Sequence, residues 1–200
     1  MPNAGPGMAD SRRATELRSH FSKLRPPTTI VVSARHSPPA AAGPIGGGNH
    51  ALLVFYNFAR GAVMADIRIT VEECSRRRCA SSGAKWEPIM GYSRAVRSGN
   101  LIAVTGCVGV NADGSYDKTV GEQAARSLAI IRATIEALGG RLEHVIRTRM
   151  YVTDVGQWEQ VARVHGDVFK EIRPATTIVE VARLIDDAAL IEIEADAIVA

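Results

Sequence analysis

Cysteine is scarce in this chain: Cys74, Cys79 and Cys107 are the three in 200 residues. An odd count, with no C-x-x-C pair and no Cys/His spacing of a zinc site, excludes a disulfide framework and offers no metal site. It points to a reduced, cytoplasmic setting. Long apolar runs are also missing. The longest, residues 51–56 (ALLVFY), falls far short of the roughly 20 residues a membrane helix needs, and it sits too deep for an ordinary secretory signal. Aromatic residues make up 5%, too few to interleave with basic side chains as a platform for stacked bases.

Acidic residues are almost absent from the first third. Residues 1–63 carry Arg12, Arg13, Arg18, Lys23, Arg25, Arg35 and Arg60 against Asp10 and Glu16, a net of +5. The whole chain has 24 basic and 21 acidic residues, so residues 64–200 hold 17 and 19, a net of −2. The overall +3 and the pI near 8.9 therefore describe no single object. Seven of the nine prolines and the Gly46–Gly48 run also fall in the first segment. Such a stretch buries too little apolar surface to offset chain entropy. Residues 1–63 are expected to be a disordered basic extension: a targeting or nucleic-acid tail, or, the reading favoured, a plain extension with Met64 as the working start. Residues 64–75 then form a linker or edge strand, and residues 76–200 the folded domain.

What is present in that domain is periodic. Leu101–Val108 reads as a nearly continuous apolar strand entered through the turn Ser98-Gly99-Asn100, with a second turn at Asn111–Gly114. Thr119 and Glu122 form a capping box. Ala124, Leu128, Ile131, Ile135 and Leu138 then recur at helical spacing, with Arg126, Arg132 and Glu136 opposite and Gly139-Gly140 as the stop. In residues 144–153, Ile146, Thr148, Met150 and Val152 alternate with Arg147, Arg149 and Tyr151. A second helix starts near Asp154, carries Trp158, Val161, His165, Val168 and Ile172 on one stripe, and ends before Pro174. Thr176–Leu184 is a further strand. Residues 190–199 alternate strictly, Ile191, Ile193, Ala195 and Ala197 against Glu192, Glu194 and Asp196.

This order predicts an α+β two-layer sandwich with two helices on one face of a mixed sheet. The covered face shows Ile146, Met150, Ile191 and Ile193. The other carries Arg147, Arg149, Tyr151, Glu192, Glu194 and Asp196, which cannot form a dry core, because unpaired buried charges cost several kcal/mol each, on the order of ~3–5. That face is either solvated or lines a polar cavity between subunits.

The motifs Gly91-Tyr92-Ser93-Arg94-Ala95-Val96, Gly99-Asn100-Leu101, Val104-Thr105-Gly106, residues 147–154, Pro174-Ala175-Thr176-Thr177, residues 179–184 and Ile191–Ala195 follow in matching order over roughly residues 76–199. Together they resemble the Rid family (RidA/YjgF-like reactive intermediate deaminases). The resemblance implies a chorismate-mutase-like fold (β-β-β-α-β-α-β-β) and a homotrimer with ligand sites between subunits. It also implies hydrolysis of enamines and imines, with neither cofactor nor metal. It gives Glu192 the role of activating or orienting water, Tyr92 that of a site wall, and Gly106 a backbone contribution. The family's carboxylate-clamping arginine falls on Thr176. A threonine hydroxyl supplies neither the charge nor the fork of a guanidinium, so the choice of substrate is expected to differ.

Arg94 and Arg149 are the candidates to hold an anionic ligand instead, the alternative being that they pair with acidic groups across the sheet. Cys107 borders the same cleft or is a small apolar strand residue. Thr176 and Thr177 either donate to a weakly polar ligand or simply favour the strand. Trp86 lines the cleft or packs at its edge, and Trp158 and His165 are read as core. Three functions compete. The first is an imine deaminase with altered substrate choice; the second is a non-catalytic trimer that binds a small metabolite. The third, an RNA-directed ribonuclease or translation inhibitor, is weakest because the folded part is net acidic.

Overall fold

The computed structural model describes residues 28–30 and 66–200. They build one sheet from β1 (Thr28–Ile30), β2 (Ile69–Cys74), β3 (Arg77–Ser81), β4 (Ala95–Ser98), β5 (Leu101–Val108), β6 (Val145–Val152), β7 (Ala175–Glu180) and β8 (Ile191–Ile198). Helices α1 (Trp86–Met90), α2 (Val120–Ala137) and α3 (Trp158–Phe169) complete the fold. The sheet order is β1-β2-β3-β4-β5-β8-β6-β7, antiparallel except for the parallel β6–β7 pair, which α3 connects as a crossover. The expectation for residues 1–63 lies outside the described residues apart from β1.

The α+β two-layer sandwich is as the periodicity predicts, with two additions. The sequence reading gave three strands before the long helix, whereas five, β1 to β5, precede it, together with the short α1. β2 falls within residues 64–75, where Ile67, Ile69 and Val71 join the core.

Helix α2 is the keel of the molecule. Its capping box is formed as the sequence predicts: Glu122 N–H donates to Thr119 Oγ1 at 3.2 Å, and Thr119 N–H to Glu122 Oε2 at 3.1 Å. Ala124, Leu128, Ile131, Ile135 and Leu138 are buried against Ile102, Val104, Cys107, Met150, Ile191 and Ile193 of the sheet. Each large aliphatic side chain so buried contributes about 2 kcal/mol. At the other end, Arg97 and Arg78 donate to the carbonyl of Leu138 at 2.7 and 3.3 Å, satisfying the carbonyls the last turn leaves open. Gly109 lets the chain after β5 run against the backbone of Gln123, a space a methyl group would fill.

Three sequence assignments need correction. Ile146 is half-exposed, and Val145 takes the covered face, because a bulge between Val145 and Arg147 shifts the register against β8. Arg126 is not on the solvent side of α2. It is buried, bridging Asp66 at 2.6 Å and donating to the Val110 carbonyl at 3.1 Å. Trp158 opens α3 and is exposed, while Val161, Val164 and Phe169 carry that helix's contact with the core. His165 stays half-buried and satisfied, its Nε2 3.0 Å from Thr148 Oγ1 and its ring stacked at an angle on Phe169.

Candidate functional site

Glu192 stands on the uncovered face of β8, opposite Val108 of β5 and Tyr151 of β6. Its position depends on an irregularity in β5. Val104 pairs with Ala195 and Cys107 with Ile193, so three steps along β5 match two along β8. The extra residue is a β-bulge at Thr105–Gly106. It turns Cys107 into the core and leaves Gly106 beneath Glu192. A methyl group on Gly106 would overlap the Glu192 carboxylate, so glycine is what lets the acid lie flat on the strand. No hydrogen bond or ion pair reaches that carboxylate among the described residues. Burial, followed by the charge of Glu194, pushes the Glu192 carboxyl above the ordinary carboxylate range, and Arg94 acts the other way.

The strand and turn before β5 supply the other wall. Helix α1 ends at Gly91, which takes the left-handed conformation (φ 69°), and Tyr92 N–H donates to the Glu87 carbonyl at 3.2 Å. Tyr92 thus leaves the helix with its hydroxyl 3.3 Å from Arg94 Nη2. Arg94 is 7% exposed; its Nη1 donates to the Gly106 carbonyl at 2.6 Å, and its Nε donates to Ser82 Oγ at 3.1 Å. Glu87, 6% exposed, lies 3.6 Å from Arg94 Nε. The Glu87 carboxylate also accepts from Ser81 Oγ, from Ser82 N–H at 3.0 Å and from Ser82 Oγ at 2.7 Å. Arg94 is therefore part of the floor, tied to an acid other than those the sequence offered it.

Cys107 is buried, with Sγ 3.6 Å from Arg94 Nη1 and donating to the Thr105 carbonyl at 3.3 Å. Burial pushes its thiol above the usual range despite the nearby guanidinium, so it stays protonated at neutral pH. The expectation of a small apolar strand residue describes its surroundings. Across the sheet, Arg149 reaches Glu194 at 3.3 Å and Asp196 at 3.2 Å, the cross-sheet pairing foreseen as the alternative to ligand binding. A cavity of about 480 Å³ opens on this face between the Gly91–Ser93 turn and the strands, lined among others by Arg77, Cys79, Thr105, Glu194 and Asp196.

Tyr92, Arg94, Gly106, Cys107 and Glu192 thus come together. Thr176 and Thr177 do not. They sit on β7, two strands from β8, and Thr176 Oγ1 turns toward the covered side, 2.9 Å from Thr148 Oγ1. Thr177 pairs in register with Arg149, which places it on the open face at the sheet's edge. The sequence reading missed Glu87, whose Glu87-Pro88 context reads as loop. It also missed Tyr116, opposite Val110 in an isolated bridge and half-buried; burial and then Asp186 raise its phenol, and Glu192 adds to the effect.

Comparison with known proteins places the chain among similar sequences and structures. A family model described as Endoribonuclease L-PSP matches residues 83–199. An uncharacterized protein of Streptomyces coelicolor is 31% identical over 123 residues, covering 60% of this chain and 90% of its own. The 2-iminobutanoate/2-iminopropanoate deaminase of Escherichia coli is 35% identical over 111 residues, 54% of this chain and 86% of its own. Among solved structures, Rv2704 of Mycobacterium tuberculosis, of the YjgF/YER057c/UK114 family, superimposes with a TM-score of 0.58 at 42% identity, covering 62% of this chain and 99% of its own. The YjgF gene product of E. coli gives 0.51 at 35% identity, covering 54% of this chain and 87% of its own. The sheet and helices are those of the chorismate-mutase-like α+β fold.

Proposed function

The chain belongs to the YjgF/RidA family, and from that premise we propose that it hydrolyses reactive enamines and imines to the carbonyl compound and ammonia. The observation that carries this reading is the Glu192 carboxyl, half-buried, without a hydrogen-bond partner among the described residues, lying over Gly106 beside the Tyr92–Arg94 pair. A carboxyl raised by burial suits proton transfer near neutral pH. In its ionised form it takes a proton from water as the water oxygen bonds to the imine carbon. It returns that proton to nitrogen; the carbinolamine then expels ammonia and leaves the C=O. An enamine first gains a proton at carbon to become the iminium ion, and the same carboxyl, when protonated, supplies it and is left as the carboxylate that then activates water. The name of the E. coli relative supports this reaction class.

We further take the working unit to be a homotrimer with its sites between subunits. Within one chain β7 stands two strands from Glu192 and is exposed along most of its length, while the open face carries the charged Arg149, Glu194 and Asp196. A neighbouring subunit would close that face. Binding of a small metabolite without turnover is favoured by one observation, the threonine at position 176, whose hydroxyl is occupied by Thr148 and the Pro174 carbonyl. The acidic row Glu192, Glu194 and Asp196 on the open face weighs against phosphate backbones as partners.

The test is to generate imines in place with an amino-acid or amine oxidase and to follow carbonyl release. Acceleration by the wild type, lost in Glu192→Gln, supports hydrolysis. Binding without acceleration over a range of side chains leaves the metabolite-binding reading.

A further inference from the structure

Arg94 is more heavily engaged than any other side chain near Glu192. Its Nε serves Ser82 Oγ and faces Glu87, its Nη1 serves the Gly106 carbonyl and Cys107 Sγ, and its Nη2 serves the Tyr92 hydroxyl. Its guanidinium also lies 5.6 Å from the centre of the Tyr92 ring. Of the roughly five N–H donors a guanidinium offers, few remain for a ligand, and burial prevents the group from swinging out. What it holds instead are the three parts that frame Glu192: the tyrosine wall, the carbonyl of the bulge and the thiol beneath. Glu87 anchors it from behind, its carboxylate accepting from the Ser81 hydroxyl and from the Ser82 amide and hydroxyl.

The charge of this arginine also matters. Among the described residues, the titratable groups around Glu192 are Glu194 on the same strand, Tyr151 on β6, Tyr116 from the loop after β5, Cys107 on β5, and Tyr92 and Arg94 from the segment before β4. Glu194 shares its charge with Arg149, and Cys107 and Tyr116 are neutral at pH 7. Arg94, which donates to the carbonyl of the glycine beneath that carboxyl, is thus the cation set beside Glu192 among the described residues.

We propose that Arg94 is a positioning residue for the hydrolysis: it fixes the Tyr92 hydroxyl and the carbonyl of the glycine on which Glu192 lies, and so sets a fixed positive charge beside that carboxyl. The consequence for catalysis rests on the deaminase reading; the primary test does not. The Glu192 side-chain carboxyl is titrated by carbon-13 NMR in the full chain, its resonance assigned by its loss in Glu192→Gln. Arg94→Gln is expected to raise the Glu192 midpoint by about one pH unit, the scale of a single nearby opposite charge. Arg94→Lys keeps the charge and is expected to hold the midpoint within a few tenths of a unit (~0.3).

Because Arg94→Gln strands the Glu87 charge, the double variant Arg94→Gln/Glu87→Gln is measured alongside, and its midpoint should also rise. In activity, the acid limb of kcat/KM moves up with the NMR midpoint in Arg94→Gln. In Arg94→Lys that limb stays put while kcat falls about tenfold or more, since an ammonium cannot serve both Tyr92 and Gly106. An unmoved Glu192 midpoint in the folded glutamine variants overturns the proposal. A wild-type protein inert toward every imine overturns the deaminase reading, and the NMR shift still decides the role of Arg94.

Discussion

At the scale of single residues, the site is a carboxylate held where the fold does not favour its charge. The folded state raises the Glu192 carboxyl above its ordinary range, so its protonated form is the one folding prefers. That contribution is fully present below the ordinary carboxylate range and disappears as pH rises through the raised value. Glu192→Gln should therefore raise Tm at pH 7 by about 1–3 °C and give no gain at pH 4, read by calorimetry at both values. Gly106→Ala is expected to displace the carboxylate, with a loss of imine hydrolysis of about 100-fold at little cost in stability, because the clash is with the end of a flexible side chain. The place of Glu192 on the uncovered face was legible because β8 alternates without interruption, while its role came from the family resemblance alone. The role of Arg94 was not legible, since it depends on a five-residue helix and on a bulge, neither of which leaves a periodic trace.

At the scale of elements, α2 shows what sequence carries and what it does not. The Thr119–Glu122 box lies within four residues and could be read directly; Thr119→Ala should cost about 1 kcal/mol in urea unfolding. The other end is closed by Arg78 and Arg97 from β3 and β4, partners some 41–60 residues away in sequence that no local pattern announces. Arg97→Ala should cost a similar amount, about 1 kcal/mol, with m unchanged. The exchange of Val145 for Ile146 on the covered face is the same lesson on β6, where one inserted residue reverses the expected alternation before it. Trp158 fails differently: at the first position of α3 it fits the stripe, yet it is exposed, and the buried contacts begin at Val161.

At the scale of the molecule, the uneven charge and the asymmetric use of the sheet point the same way. Helices cover one face, and the other carries Arg149, Glu192, Glu194 and Asp196, with a cavity of about 480 Å³ between the Gly91–Ser93 turn and the side of Glu194 and Asp196. Light scattering should give close to three times the 21.4 kDa chain mass if that face closes against neighbours; a monomer mass would contradict the trimer. The family was legible from motifs spread over residues 76–199, and the fold from their periodicity. The most direct test of the account is the rate of carbonyl release from oxidase-generated imines, wild type against Glu192→Gln. The account predicts acceleration by the wild type and a loss of at least about 100-fold in the variant; equal rates in the two would contradict it.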